Sequence, residues 1–261
     1  MLTPAETDRI AAELADADRT HGVIPRITAR YPAATVEDAY RIQARWRDRR
    51  IADGHRLVGR KIGLTSRAMQ HATGITEPDY GVMFDDTIFR SGDTLPVDRF
   101  SNVRVEVELA FVLAQPLEGP HATLADALRA TDHVVPALEV LNSHIELEGR
   151  TIVDTISDNA AYGAMVLGET RRRPDEVDLR WVPGVLSRNG EIEETGVAAG
   201  VLGHPATGVA WLANKLHQHG ARLEAGEIIL AGSFTRPVWV HAGDHVLCDY
   251  GPMGTISCHF I

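Results

Sequence analysis

Three glutamates and a lysine carry the chemistry that this sequence can do. In the run Arg104-Val105-Glu106-Val107-Glu108-Leu109-Ala110-Phe111 the residues alternate with period two. As a strand it sends Val105, Val107, Leu109 and Phe111 to one face and Arg104, Glu106 and Glu108 to the other. Carboxylates at i and i+2 stand roughly 7 Å apart and repel each other unless a cation lies between or above them. The run is therefore either a strand with a wet, charged back or half of a divalent-cation site with hard oxygen ligands.

About thirty residues on, Val134-Val135-Pro136-Ala137-Leu138-Glu139-Val140-Leu141 is almost unbroken apolar sequence around one carboxylate. An isolated ionised carboxylate is costly to bury, so Glu139 needs a cation or a cavity, unless Pro136 bends the segment out to water. Together Glu106, Glu108 and Glu139 read as a three-carboxylate site on two adjacent strands. With no histidine or cysteine companion they favour Mg²⁺ or Mn²⁺ over Zn²⁺. Lys61 stands in Leu57-Val58-Gly59-Arg60-Lys61-Ile62-Gly63-Leu64, an apolar, glycine-flanked strand. A desolvated lysine beside carboxylates and a metal can donate a proton or stabilise an oxyanion; the alternative is a lysine that snorkels off a strand edge.

The elements that must position these groups follow from local signals. Thr3-Pro4-Ala5-Glu6 and Thr35-Val36-Glu37-Asp38 open two helices of an N-terminal helical portion, residues 1–56, and residues 57–261 form a β-rich catalytic core. A helix is expected to begin at Thr65–Gln70. The segment Glu77-Pro78-Asp79-Tyr80-Gly81 reads as a loop over a pocket, with Asp79 and Tyr80 as candidates. Further helices are expected from Ala122 to Ala130 and from Ala206 to His219. In the small polar stretch Asp154–Ala161, Ser157, Asp158 and Asn159 either supply hydrogen bonds at a site or are ordinary turn residues. Asn189-Gly190 marks a hairpin, and the tail holds strands over 234–240, 245–250 and 255–260.

The chain has 261 residues, 44% of them hydrophobic, which suits one sizeable β-rich domain. A net charge of −10 argues against nucleic acid or an anionic membrane as partner, though a local metal and a few cationic side chains can still draw in an anionic small molecule. The two cysteines, Cys248 and Cys258, are expected in neighbouring strands as reduced thiols. No basic and apolar leader pattern opens the sequence and no run is long enough to span a bilayer, so a cytoplasmic protein is expected.

Several separated runs, in order, carry a resemblance: Gly59–Ser66, Glu77–Gly81, Arg104–Phe111, Pro136–Glu139 and Asp154–Ala160. They resemble the 2-oxo-alkenoate hydratase/decarboxylase family of the fumarylacetoacetate-hydrolase-like superfamily. That resemblance implies an α+β fold with a mixed β-roll core and peripheral helices, Mg²⁺ or Mn²⁺, and homo-oligomers. It places the metal ligands on Glu106, Glu108 and Glu139 and implies action on small anionic 2-oxo acids from meta-cleavage of aromatic compounds. Lys61 then meets the C2 oxygen or C1 carboxylate, and Asp79 shuttles a proton or activates water.

Gly232-Ser233-Phe234-Thr235-Arg236-Pro237-Val238 and Glu193–Val201 resemble the hydratases of 2-oxohept-4-ene-1,7-dioate, with Arg236 either meeting the second carboxylate or serving as a surface or structural residue. The short stretch Asn142–Val153 resembles instead the hydratases of 2-hydroxypenta-2,4-dienoate. A 2-oxo-3-hexenedioate decarboxylase needs the same metal, and a C–C hydrolase would need a His–Glu pair for which no clear candidate exists. A non-catalytic subunit partnering a related decarboxylase is the reading from a different class.

Overall fold

The structure, a computed structural model, describes residues 1–66, 70 and 77–261; the helix expected at Thr65–Gln70 runs through residues 67–69, which lie outside the described residues. The N-terminal portion holds α1 (Pro4–Thr20), α2 (Ile27–Arg30) and α3 (Val36–Ala52). The expected capping boxes are present: Thr3 and Glu6 close α1, and Thr35 and Asp38 close α3. Ile10, Leu14, Ile27, Ile42 and Trp46 bury one face of these helices against Val82 and Phe84.

The rest of the chain runs β1 (Leu57–Gly63), β2 (Asp79–Phe84), β3 (Ile88–Arg90), β4 (Thr94–Leu95), β5 (Arg104–Leu113), α4 (Leu124–Ala130), β6 (Thr131–Leu141), α5 (Ile152–Ser157) and β7 (Tyr162–Leu167). It continues as β8 (Pro183–Arg188), β9 (Glu191–Val197), α6 (Pro205–His217), β10 (Ile228–Leu230), β11 (Val238–Trp239), β12 (His245–Asp249) and β13 (Thr255–Phe260). This is the expected α+β architecture, with the β core formed by two open sheets. The larger has the order β2-β1-β10-β5-β6-β7-β3 with β11 also on β5, and the smaller has the order β4-β13-β12-β8-β9. Pairs β1–β10, β3–β7 and β4–β13 are parallel and the rest antiparallel, so both sheets are mixed. No helix among the described residues is long and apolar enough to cross a membrane.

Three expectations need correction. Asp79 and Tyr80 do not sit in a loop but begin the fully buried strand β2. Asp154–Ser157 is helical, because Thr151 and Asp154 form another capping box and Asp154 also accepts from Thr28 N and Oγ1 at 3.0 and 2.7 Å. Of the strand expected over 234–240, only Val238 and Trp239 pair, since the Ser233 hydroxyl turns the chain by donating to Thr235 O and accepting from Thr235 N. The hairpin is as expected, with Asn189 and Gly190 at φ 55° and 87°. Cys248 and Cys258 are buried free thiols on β12 and β13.

The alternation of β5 sorts the molecule into two sides. Val105, Val107, Leu109 and Phe111 join the main core with Leu138, Val140 and the inner faces of β12, β13 and α6. The other side of the same sheet carries a smaller apolar group, Met83, Ala110, Val135, Ala137, Met165 and Leu230. The charged residues lie on this second side.

Candidate metal centre

Strand pairing decides which side chains meet. In the β5–β6 register Glu106 is directly opposite Glu139, and Glu108 is opposite Ala137. Directly paired residues share a face, so three carboxylates converge, and the small Ala137 leaves space beside Glu108. One oxygen from each of Glu106, Glu108 and Glu139 lies within 4.8 Å of the others. The same logic carries Lys61 to this face. It pairs with Leu230 of β10, Leu230 pairs with Ala110 of β5, and Ala110 is two residues from Glu108. On the other flank Lys61 pairs with Gly81 and Gly63 with Asp79, which brings the Asp79 carboxylate to the same side.

Lys61 Nζ stands 3.2 Å from Glu139 Oε1, with both side chains almost wholly buried. Gly232 N donates to Glu108 Oε2 at 2.9 Å. Gly232 has φ 118°, and a Cβ there would lie 2.2 Å from Thr65 Oγ1, so only glycine lets this amide reach the carboxylate. Gly63 serves Asp79 similarly: a Cβ would lie 2.1 Å from Asp79 Oδ1 and 3.3 Å from Lys61 Nζ. Sequence reading saw Gly63 only as a flank of Lys61 and gave Gly232 no role. The signal available for Gly63 was a glycine two residues from a buried lysine in a strand.

The electrostatics are those of a site built around a cation. Burial and the Glu139 charge push the Glu106 carboxyl up to about 7, and burial with Glu139 and Glu106 raises Glu108 well above the usual range. Burial works against the Lys61 ammonium, yet Glu139, Asp79, Glu106 and Glu108 together hold it above its ordinary value. Burial raises Asp79, opposed mainly by Lys61. Glu108 Oε1, both Glu139 oxygens and Asp79 Oδ1 are buried without a hydrogen bond. Desolvated carboxylate oxygens without hydrogen bonds are costly, and Lys61 is the only cation among the described residues in ion-pair contact with any of these four carboxylates. A hard divalent cation fits this donor set, which contains oxygen and neither imidazole nor thiolate. A second acidic group, His55, Asp85 and Asp86, differs in that Arg56 and Arg50 already occupy its carboxylates.

The remaining candidates are placed elsewhere. Tyr80 follows Asp79 on the strand and so faces the opposite side, stacked on Tyr40 with ring centroids 4.6 Å apart. Ser157 Oγ donates to Val153 O at 2.8 Å inside α5. The Asn159 amide is spent on β2, donating to Val82 O and accepting from Val82 N, each at 2.8 Å. Ser157 and Asn159 border a separate cavity of about 580 Å³ whose lining includes none of the five centre residues. Arg236 is exposed and ion-paired with Glu194 at 2.7 Å. The structure therefore brings together Lys61, Asp79, Glu106, Glu108 and Glu139, and commits Tyr80, Ser157, Asn159 and Arg236 to packing, backbone or surface contacts.

The chain is similar to several known proteins. The chain is 54% identical over 258 residues to the 2-oxo-hept-4-ene-1,7-dioate hydratase of Escherichia coli, covering 97% of each protein. It is 40% identical over 259 residues to the 2-keto-4-pentenoate hydratase of Paraburkholderia xenovorans (strain LB400), covering 99% of this chain and 96% of that one. The 4-oxalocrotonate decarboxylase from Pseudomonas putida G7, solved with magnesium and adipate, matches with a TM-score of 0.98 at 34% identity, covering 100% of this chain and 99% of that chain. The family model for the fumarylacetoacetate (FAA) hydrolase C-terminal region matches residues 57–261. With its fold, its carboxylate centre and these relatives, the chain belongs to the fumarylacetoacetate hydrolase family.

Proposed function

We propose that the protein is a Mg²⁺- or Mn²⁺-dependent hydro-lyase that adds water to a 2-oxo-alkenoate, with 2-oxohept-4-ene-1,7-dioate, the substrate for which its 54%-identical relative is named, as the substrate. The observation that carries the reading is one face holding three convergent carboxylates, those of Glu108 and Glu139 with buried oxygens that make no hydrogen bond, beside Lys61 and Asp79. Glu106, Glu108 and Glu139 would hold the metal. When bound, the ion supplies Lewis-acid charge to the C1 carboxylate and C2 oxygen of a 2-oxo acid.

The chain's own groups account for the rest. Lys61 is held as an ammonium by its neighbours, so it acts as a fixed positive charge and hydrogen-bond donor toward the C2 oxygen or C1 carboxylate, not as a base. Asp79 is buried, with its acidity weakened, and can both take and return a proton. Hydration needs a proton moved from C3 to C5 to bring the double bond into conjugation. Water oxygen then bonds to C4 and a proton returns to C3; Asp79 would carry these protons. Burial of the face excludes bulk water, which strengthens each of these interactions.

Turnover of 2-oxohept-4-ene-1,7-dioate and 2-hydroxypenta-2,4-dienoate, followed in the ultraviolet with Mg²⁺, Mn²⁺ or EDTA, tests the reading. Metal-dependent loss of the seven-carbon diacid is expected, and Lys61→Ala and Asp79→Asn should each lower kcat by about 100-fold or more. Near-normal turnover in both variants would remove those roles. The resemblance to a decarboxylase structure supports a second reading, decarboxylation of a 2-oxo-hexenedioate, which carbon dioxide release distinguishes. The protein would act in the cytoplasm as a homo-oligomer able to associate with a related decarboxylase. Exposed Trp181, Ile192 and Trp239 offer apolar surface for such contacts.

A further inference from the structure

Two guanidinium groups stand beside the carboxylate centre without a carboxylate of their own. Arg104 opens β5, two residues before Glu106, so its side chain leaves the strand on the same face as Glu106 and Glu108. Its Nε and Nη2 are buried and make no hydrogen bond. The group is held by stacking: Trp239, its partner across β11 and β5, carries the guanidinium carbon 5.1 Å from the ring centroid. A ring beneath the guanidinium plane positions it while leaving its N–H edge available.

Arg150 is delivered to the same end of the strands by a separate set of contacts. Asn102 Nδ2 donates to Ser143 O at 3.0 Å, tying the approach to β5 to the chain leaving β6. Ser143 Oγ accepts from Arg150 Nη1 at 2.8 Å, a neutral partner for a charged group. Asn102 lies two residues before Arg104, and Ser143 also accepts from Arg150, so the two guanidinium groups are brought to one end of β5 and β6. Neither guanidinium forms an ion pair with a carboxylate among the described residues, and a desolvated cation in that position is unfavourable unless an anion joins it.

We propose that Arg104 and Arg150 form the subsite for the distal carboxylate of a dicarboxylic 2-oxo acid and so set the preference for a diacid over a monoacid. This rests on the functional reading above. The strand rise puts the Arg104 Cα roughly 7 Å from that of Glu106. The five carbon–carbon bonds from C2 to C7 of an extended heptenedioate span a comparable length. The planar fork of an arginine suits a carboxylate, and Arg236, exposed on Glu194, has no comparable access to this face.

The test is a ratio of affinities for two unreactive probes, 2-oxoheptanedioate and 2-oxopentanoate, measured by calorimetry with Mn²⁺ on the full-length protein. Dividing one by the other cancels any general disturbance of the nearby carboxylates. The wild type should bind the diacid more tightly, and Arg104→Met and Arg150→Met should each shrink that preference roughly 10- to 100-fold, the worth of a charge-assisted pair. Arg104→Lys and Arg150→Lys, which keep charge and bulk, should retain part of it. A wild type without diacid preference, or Met variants that keep it, would overturn the proposal. Failure of the hydratase reading shows separately, as absence of turnover with both alkenoate substrates while the binding ratio still reports on the two arginines.

Discussion

Gly63 and Asp79 face each other across β1 and β2, and the absence of a side chain on the first is what admits the carboxylate of the second. A Cβ on Gly63 would lie 2.1 Å from Asp79 Oδ1 and 3.3 Å from Lys61 Nζ. Gly63→Ala should therefore displace Asp79 by a fraction of a bond length or more and cut kcat by about 100-fold. Mn²⁺ affinity, which depends on β5 and β6, should change only a few-fold. Steady-state kinetics beside metal titration measures both; unimpaired kcat would show that Asp79 need not stand where it does.

The carboxylate centre links stability to metal. In the metal-free protein Glu106, Glu108 and Glu139 repel one another in a buried setting, so Glu108→Gln, which leaves the Lys61–Glu139 pair intact, should raise the melting temperature in EDTA. With Mg²⁺ or Mn²⁺ at about 100 times Kd the wild type should gain about 2.7 kcal/mol, roughly 5–10 °C for a chain of this size. The Gln variant should lose most of that gain. Melting curves with and without metal test the crossover, and parallel behaviour of the two proteins would exclude these ligands.

Asn159 should behave as a structural clamp. Its amide makes two buried hydrogen bonds to Val82 and it starts a run of three left-handed residues, with φ of 49°, 53° and 59° at Asn159, Ala160 and Ala161. Asn159→Ala should cost about 2–4 kcal/mol in urea unfolding, with the KM of the refolded enzyme little changed. A KM effect without a stability effect would return Asn159 to the substrate.

Away from the centre, His144 sits between acids: Nδ1 is 2.9 Å from Asp158 Oδ1, and Nε2 is 3.5 Å from Asp18 Oδ1 and 2.9 Å from Asn142 Nδ2. Burial alone would lower the imidazole, but Asp158 and then Asp18 outweigh it and raise its pKa. A histidine raised on folding stabilises fully below its unfolded value, about 6.5, and that stabilisation fades as pH rises through the folded value. The wild type should thus lose stability above about pH 6.5 by a slope that Asp158→Asn flattens. Melting temperatures from pH 6 to 9 give the comparison; equal slopes would show that the pair is not ionic.

Much of the centre was legible from residue order alone. Period-two alternation put Glu106 and Glu108 on one side of β5, and the cost of burying a lone carboxylate marked Glu139 and, by the same reasoning, Lys61. Local motifs of three or four residues, the capping boxes at Thr3 and Thr35 and the Asn189-Gly190 turn, were legible for the same reason, since their causes lie within the motif. The six-residue α5 was missed because it is too short to show a period, although its Thr151–Asp154 box was present.

Only the tertiary structure decided the rest. Whether Glu106 meets Glu139 depends on the β5–β6 register, and whether Lys61 joins them depends on β10 inserting between β1 and β5. Asp79 and Tyr80 are adjacent in sequence and opposite in space, and Arg236 is exposed and paired with Glu194. Side-chain type and spacing state what a group costs to bury and which face of its own element it takes. Which other element lies opposite is set by pairing between strands far apart in the chain, where a shift of one residue would turn every side chain to the other face.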